Sequence, residues 1–151
     1  MIRGNIDTRL RKMREGQYEA VILAYSGVKR ANLFNYKEMS PIRVELMLPA
    51  AGQGALLLQC RKDDAQMRAM AGKMDHPATH TCVEAERALV LALNGDCQSP
   101  IAAYATWSGD QVTLRGALGR PDGEPPVKRG SVAGPVSPLK ELAEALAAQL
   151  R

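Results

Sequence analysis

A chain of 151 residues, 46% hydrophobic and 24% charged, has the composition of a globular protein with one ordinary domain or two small ones. No apolar run approaches the roughly 20 residues that span a bilayer, and Met1-Ile2-Arg3-Gly4-Asn5 lacks the apolar core of a secretory signal, so a cytoplasmic protein off the membrane is expected. The net charge of +4, with only four Tyr, one Phe and one Trp for base stacking, disfavours nucleic acid and points to a small polyanionic ligand.

In chain order, Asn5 or Asp7 caps a first helix that runs to about Glu15 and ends at Gly16. Ala20–Ala24 is a short apolar run of the buried-strand type, and Ser26-Gly27 opens a second helix through Arg30 towards Leu33. This order suggests α/β structure with a parallel sheet. It opens on a helix with no strand before it, so it reads as a unit cut in the middle. Arg43–Leu48 has strand character, Pro49–Gly54 is a tight glycine-rich turn, and Ala55–Cys60 is a further buried strand. Asp63 or Asp64 then starts a helix to about Met74.

Asp75-His76-Pro77 is a helix start, with Asp75 as the cap and Pro77 in the first turn. Cys82, Ala85, Ala88, Leu89, Ala92 and Leu93 share one face of that helix, and Asn94-Gly95 stops it. Extended segments follow at Ile101–Trp107, Gln111–Leu118 and about Val127–Val132, separated by Ser108-Gly109-Asp110 and Pro121-Asp122-Gly123 turns. A last helix begins near Pro138, with Leu139, Leu142, Leu146 and Leu150 on one stripe. The expected fold is an α/β fragment with a partial parallel or mixed sheet, followed by a small α+β domain with a three-stranded antiparallel sheet.

Basic residues crowd the N-terminal segment, where Arg3, Arg9, Arg11, Lys12, Arg14, Lys29 and Arg30 face only Asp7, Glu15 and Glu19. Arginine's planar fork grips a carboxylate with two bonds, and Arg3 and Arg9 flank a helix N-terminus that favours anions. On charge alone a solvated helix face is the better account of them all, and for Arg11, Lys12 and Arg14 it is the account kept. Three cysteines without a Cys-x-x-Cys pair make neither a disulfide framework nor a zinc site, and no metal is expected. Cys60 and Cys82 read as core packing. Cys97 stands in a loop, and the two histidines, His76 and His80, lie about 20 Å or more away by the rise of the intervening helix. A simple Cys–His couple is therefore disfavoured. The acids form no evident catalytic pair, and spacing alone leaves Cys97 a structural thiol.

Four stretches are more specific. Arg3-Gly4-Asn5-Ile6-Asp7-Thr8-Arg9-Leu10, Ala24-Tyr25-Ser26-Gly27-Val28-Lys29-Arg30, Leu48-Pro49-Ala50-Ala51-Gly52-Gln53-Gly54-Ala55, and Ala85-Glu86-Arg87-Ala88 leading to Gly95-Asp96-Cys97-Gln98-Ser99-Pro100-Ile101 together resemble the porphobilinogen deaminase (hydroxymethylbilane synthase) family. The resemblance covers essentially the whole chain and corresponds to the C-terminal half of that enzyme. It implies a transferase of tetrapyrrole (porphyrin and heme) biosynthesis that condenses four porphobilinogen molecules into hydroxymethylbilane with release of ammonia. Growth is primed on a dipyrromethane cofactor held by a thioether, and Cys97 matches the anchoring cysteine. A permanent anchor needs no base, so the missing histidine ceases to be a difficulty.

By the same resemblance Arg3, Arg9 and Arg30 bind the acetates and propionates of the cofactor and growing polypyrrole chain and assist catalysis. Gly27, Gln53 and Gly54 match positions lining that cleft. Residues 1–48 correspond to the latter part of the family's second domain, 49–72 to a segment returning to the first, and 73–151 to a complete third domain. The family's catalytic aspartate falls in the N-terminal half, to which nothing here corresponds. The chain is thus expected to be inactive alone, with a second polypeptide supplying the complementary half as a further partner. An alternative from another class is a non-enzymatic anion-binding or interaction module that keeps the fold. Asp96, Ser99 and Ala102 depart from the family's usual glycine, larger aliphatic residue and frequent glycine, which places a carboxylate beside the anchor.

Overall fold

The structure, a computed structural model, describes residues 2–96 and 98–151. Cys97, the expected anchor, lies outside the described residues. The chain forms two compact units, Met1–Ile42 and Arg43–Arg151.

The first unit contains helices α1 (Ile6–Arg14) and α2 (Tyr25–Arg30). Helix α1 follows Asn5 and ends where Gly16 takes φ +77°. The Gly16 and Gln17 N–H groups then bond back to the Met13 and Lys12 carbonyls at 2.9 and 3.0 Å, the closure that a left-handed C′ residue permits. Leu10 and Val28 are its buried side chains. A Cβ at Gly27 would stand 3.0 Å from Ile6 Cδ1, so the missing side chain is what lets α2 approach the start of α1. Tyr25, Phe34 and Tyr36 stack edge to face in series, with centroids 5.2 and 4.7 Å apart.

The second unit contains α3 (Ala65–Gly72), α4 (Pro77–Ala92), strands β1 (Ile101–Ser108), β2 (Gln111–Leu118) and β3 (Lys128–Pro135), and α5 (Leu139–Leu150). The sheet is antiparallel in the order β1-β2-β3, as the alternating segments predicted. Its inner face carries Ala103, Ala105, Val112 and Leu114, all buried under α4 and α5. The stripe Leu142, Leu146 and Leu150 closes the other side of this core. Small inner-face residues set the helix-to-sheet distance: a Cβ on Gly116 would come within 2.7 Å of Leu89 Cδ2 and 3.0 Å of Leu150 Cδ1. Helix α4 ends as predicted at Asn94, whose φ of +54° lets Gly95 N–H reach the Val90 carbonyl at 2.9 Å. Its start differs by one residue. His76 is the N-cap, its ring accepting from Thr79 N–H, and Asp75 instead pairs with His80.

The structure corrects the sequence reading at three expected strands. Ala20–Ala24, Arg43–Leu48 and Ala55–Cys60 belong to no strand. A strand exists only through bonds to a neighbour, and these segments have no partner strand among the described residues. Arg43–Met47 closes a local turn instead, with Leu46 and Met47 N–H donating to the Arg43 carbonyl at 3.0 and 3.1 Å. Side chains suited to a two-sided core stay in solvent: Ile22 is 65% exposed, Leu56 79% and Leu57 80%. Cys60 is exposed for the same reason rather than packed in a core, whereas Cys82 is partly buried against it. The N-terminal fragment is accordingly helical where a partial sheet was expected. No helix among the described residues is long and apolar enough to cross a membrane.

Candidate functional site

In the first unit, the Arg9 side chain folds back along α1, and its Nε donates to the Gly4 carbonyl at 2.7 Å. That carbonyl lies just before the helix N-terminus, at a glycine with φ +123°. A cation held there opposes the helix dipole and favours an arriving anion. Lys12 Nζ donates to the Arg3 carbonyl at 3.3 Å, tying the preceding segment to the same helix. Neither Arg3 nor Arg9 meets a carboxylate among the described residues. Their neighbours do: Arg11 pairs with Glu15 and Arg14 with Glu38, each at 2.7 Å. The sequence reading took Arg11 and Arg14 as a solvated face, and only the family resemblance directed Arg3 and Arg9 to a ligand. Arg30 is the last residue of α2 and is exposed, and Gly27 lies one turn before it.

In the second unit, Pro49–Ala55 makes two successive tight turns. Gln53 N–H donates to the Ala50 carbonyl at 3.0 Å and Ala55 N–H to the Gly52 carbonyl at 3.1 Å. Gly52 and Gly54 hold the third positions with φ of +68° and +86°, a conformation that favours glycine. This turn lies along the outward edge of β1, where Ala103 N–H donates to the Pro49 carbonyl at 3.0 Å. Gln53 and Gly54 thereby line a hollow of about 400 Å³ together with Cys82, Glu86, Tyr104 and Trp107.

Glu86 was missed as an individual. It is 7% exposed, and its two carboxylate oxygens accept from Gly52 N–H at 2.7 Å and Ala105 N–H at 2.9 Å. Burial pushes its carboxyl above the usual range, while the two N–H bonds pull the other way. The signal was present in the sequence: Glu86 stands on the apolar stripe of α4, four residues after Cys82 and three before Leu89. Burial and the Glu86 charge also push the Cys82 thiol up, which keeps it protonated and poorly nucleophilic at neutral pH.

Asp96, Gln98 and Ser99 are tied to one another by hydrogen bonds. Asp96 Oδ1 accepts from Gln98 N–H, Ser99 N–H and Ser99 Oγ at 2.9, 2.9 and 2.8 Å. Ser99 Oγ in turn accepts from Asp96 N–H at 2.9 Å. The bonds from Ser99 and from the Gln98 and Ser99 amides hold the exposed Asp96 carboxyl below the usual carboxylate range. Two of the departures from the family pattern are thus each other's partners, and together they make a clasp. Asp96, Gln98, Ser99 and Pro100 line a second hollow, of about 360 Å³, opposite Arg120.

At the level of class, a basic helical unit followed by an α+β domain describes an α-and-β protein. Comparison with known proteins makes this particular. The model described as "Porphobilinogen deaminase, dipyromethane cofactor binding domain" matches residues 1–69. That described as "Porphobilinogen deaminase, C-terminal domain" matches residues 80–151. The porphobilinogen deaminase of Geobacter sulfurreducens is 46% identical over 150 residues, an overlap covering 99% of this chain and 46% of the relative. That of Brevibacillus brevis is 43% identical over 150 residues, covering 98% of this chain and 48% of the relative. The chain belongs to the porphobilinogen deaminase family and spans about half the length of the curated relatives it matches.

Proposed function

We propose that this chain is the cofactor-carrying, C-terminal part of a hydroxymethylbilane synthase, acting in the cytoplasm on porphobilinogen and the growing polypyrrole chain. Residues 1–48, 49–72 and 73–151 are read as parts of that enzyme's second, first and third domains. The observation that carries the reading is the pair Arg3 and Arg9, positioned at the start of α1 with no carboxylate partner among the described residues. The residues fit the cofactor's chemistry: a dipyrromethane bears several carboxylates, and arginine forks are the side chains suited to them. When bound, the cofactor supplies the primer to which porphobilinogen units are joined.

In this reading Cys97 is the thioether anchor, and its described neighbours Asp96 and Ser99 are tied to each other by the clasp. Arg3, Arg9 and Arg30 bind carboxylates of the cofactor and substrate, and Gly27, Gln53 and Gly54 line the cleft. A buried polyanion without these cations leaves charges poorly compensated, at a cost of several kcal/mol per group. The complementary half of the enzyme supplies the acid that runs the chemistry. The test is intact mass after producing the chain together with the half of the Geobacter sulfurreducens relative that it does not match. A dipyrromethane increment on the wild-type chain, lost in Cys97→Ser, is expected. An unmodified wild-type chain would contradict the reading and favour a non-enzymatic anion-binding module.

A further inference from the structure

Glu86 is the one buried charged residue of the core among the described residues, and nothing in the proposed reaction uses it. Its place on α4 is one that a leucine would fill as far as helix packing is concerned. What a carboxylate adds is two acceptors aimed at two different segments. One meets Ala105 N–H on the outward edge of β1, two residues beyond Ala103, whose N–H takes the Pro49 carbonyl. The other meets Gly52 N–H inside the glycine turn. The turn is therefore pinned twice, by Pro49 directly on the β1 edge and by Gly52 through the carboxylate. Gln53 is the next residue along and lines the hollow.

We propose that Glu86 is a positioning residue: by bridging Gly52 and Ala105 it fixes the glycine turn against β1, and so sets where Gln53 stands in the cofactor cleft. This inference rests on the reading of Gln53 and Gly54 as cleft residues. It does not require Glu86 to touch any ligand.

Two variants test it. Glu86→Gln is nearly isosteric but can present only one acceptor oxygen, and its amide nitrogen cannot accept from a second N–H. Glu86→Met keeps the volume and packing and removes both acceptors. In the chain itself, amide exchange at Gly52 is expected to quicken at least about tenfold in Glu86→Met, which removes both acceptors, with the Leu89 and Leu114 amides unchanged. In the chain joined to its complementary half, Glu86→Gln is expected to raise KM for porphobilinogen several-fold with kcat nearly constant. In a Gln53→Ala background the same change should add less than about twofold, because both act through one side chain. Unchanged exchange at Gly52, or effects of Glu86→Gln and Gln53→Ala that multiply, would overturn the inference. A wild-type complex that neither loads cofactor nor consumes porphobilinogen would overturn the functional reading instead, and exchange at Gly52 would still decide whether Glu86 holds the turn.

Discussion

Residues 77–151 and residues 20–60 hold apolar segments of similar character, yet they end in opposite conditions. In the first, Ala103, Val112, Leu114 and Leu146 are almost completely buried, because β1, β2 and β3 follow one another in the chain and each pairs with the next. In the second, Ile22, Leu46, Leu56 and Leu57 are mostly exposed, because the strands they would make have no neighbour among the described residues. Apolar content makes a segment eligible for a core, but pairing decides whether it enters one. A meander carries its partners with it, whereas a parallel strand depends on chain far away in sequence.

The contrast can be broken most sharply at two leucines. Leu146→Ala should cost about 2–5 kcal/mol, as large-to-small changes in closed cores do, and a thermal or denaturant unfolding transition of the chain will show it. Leu57→Ser should move the same transition by no more than about 0.5 kcal/mol, as expected of an exposed site. Comparable losses at both positions would mean that Leu57 is buried and the comparison is mistaken.

A smaller effect sharpens the view of the C-terminal region as locally self-sufficient. The clasp between Asp96 and Ser99 uses residues three apart, and Ser99→Ala removes both bonds of the Ser99 hydroxyl. Amide exchange at Gln98 and Ser99 should quicken several-fold while the sheet is unaffected. Because the folded Asp96 carboxyl lies below its ordinary range, the clasp's contribution is complete above that range and is lost as pH falls through the lowered value. The same amides should therefore loosen in acid, and Asp96→Asn should abolish that pH dependence.

The smallest expected effect is at the start of α4. His80 lies between Asp75 and Glu84 at 3.0 and 3.3 Å, and the Asp75 hydrogen bond and charge, then Glu84, raise its affinity for a proton. Its contribution is fully present below the ordinary histidine range and disappears as pH rises through the raised value. An NMR titration of His76→Gln, in which His80 is the sole imidazole, should place His80 above the ordinary histidine range, and Asp75→Asn should lower it.

The α+β domain was legible in the sequence because its signals are local. The alternation of β1 and β2, the Ser108-Gly109-Asp110 turn, the α5 stripe and the Asn94-Gly95 stop each act within a few residues. Ala20–Ala24 and Ala55–Cys60 were read as strands from the same kind of pattern, but their outcome rests on partners that the pattern does not contain. At the site, the Pro49–Gly54 turn was legible because only glycine tolerates its backbone. The different standing of Arg11 and Arg9 came from the family resemblance, which matches Arg9 and not Arg11. Glu86 was passed over because a carboxylate on an apolar stripe is conspicuous only once its two N–H partners, 34 and 19 residues away, are known. The clasp was invisible for another reason: Asp96 and Ser99 were weighed as separate departures, and their meaning lies in the pair.

The central proposal is that this chain carries the anchor and carboxylate-binding arginines of a hydroxymethylbilane synthase, whose chemistry also draws on the part of the relatives it does not match. Porphobilinogen consumption tests it most directly, measured for the chain alone, for the unmatched half alone and for the two combined. Turnover only in the combination is predicted. Turnover by this chain alone, or none in a combination that assembles, would contradict it.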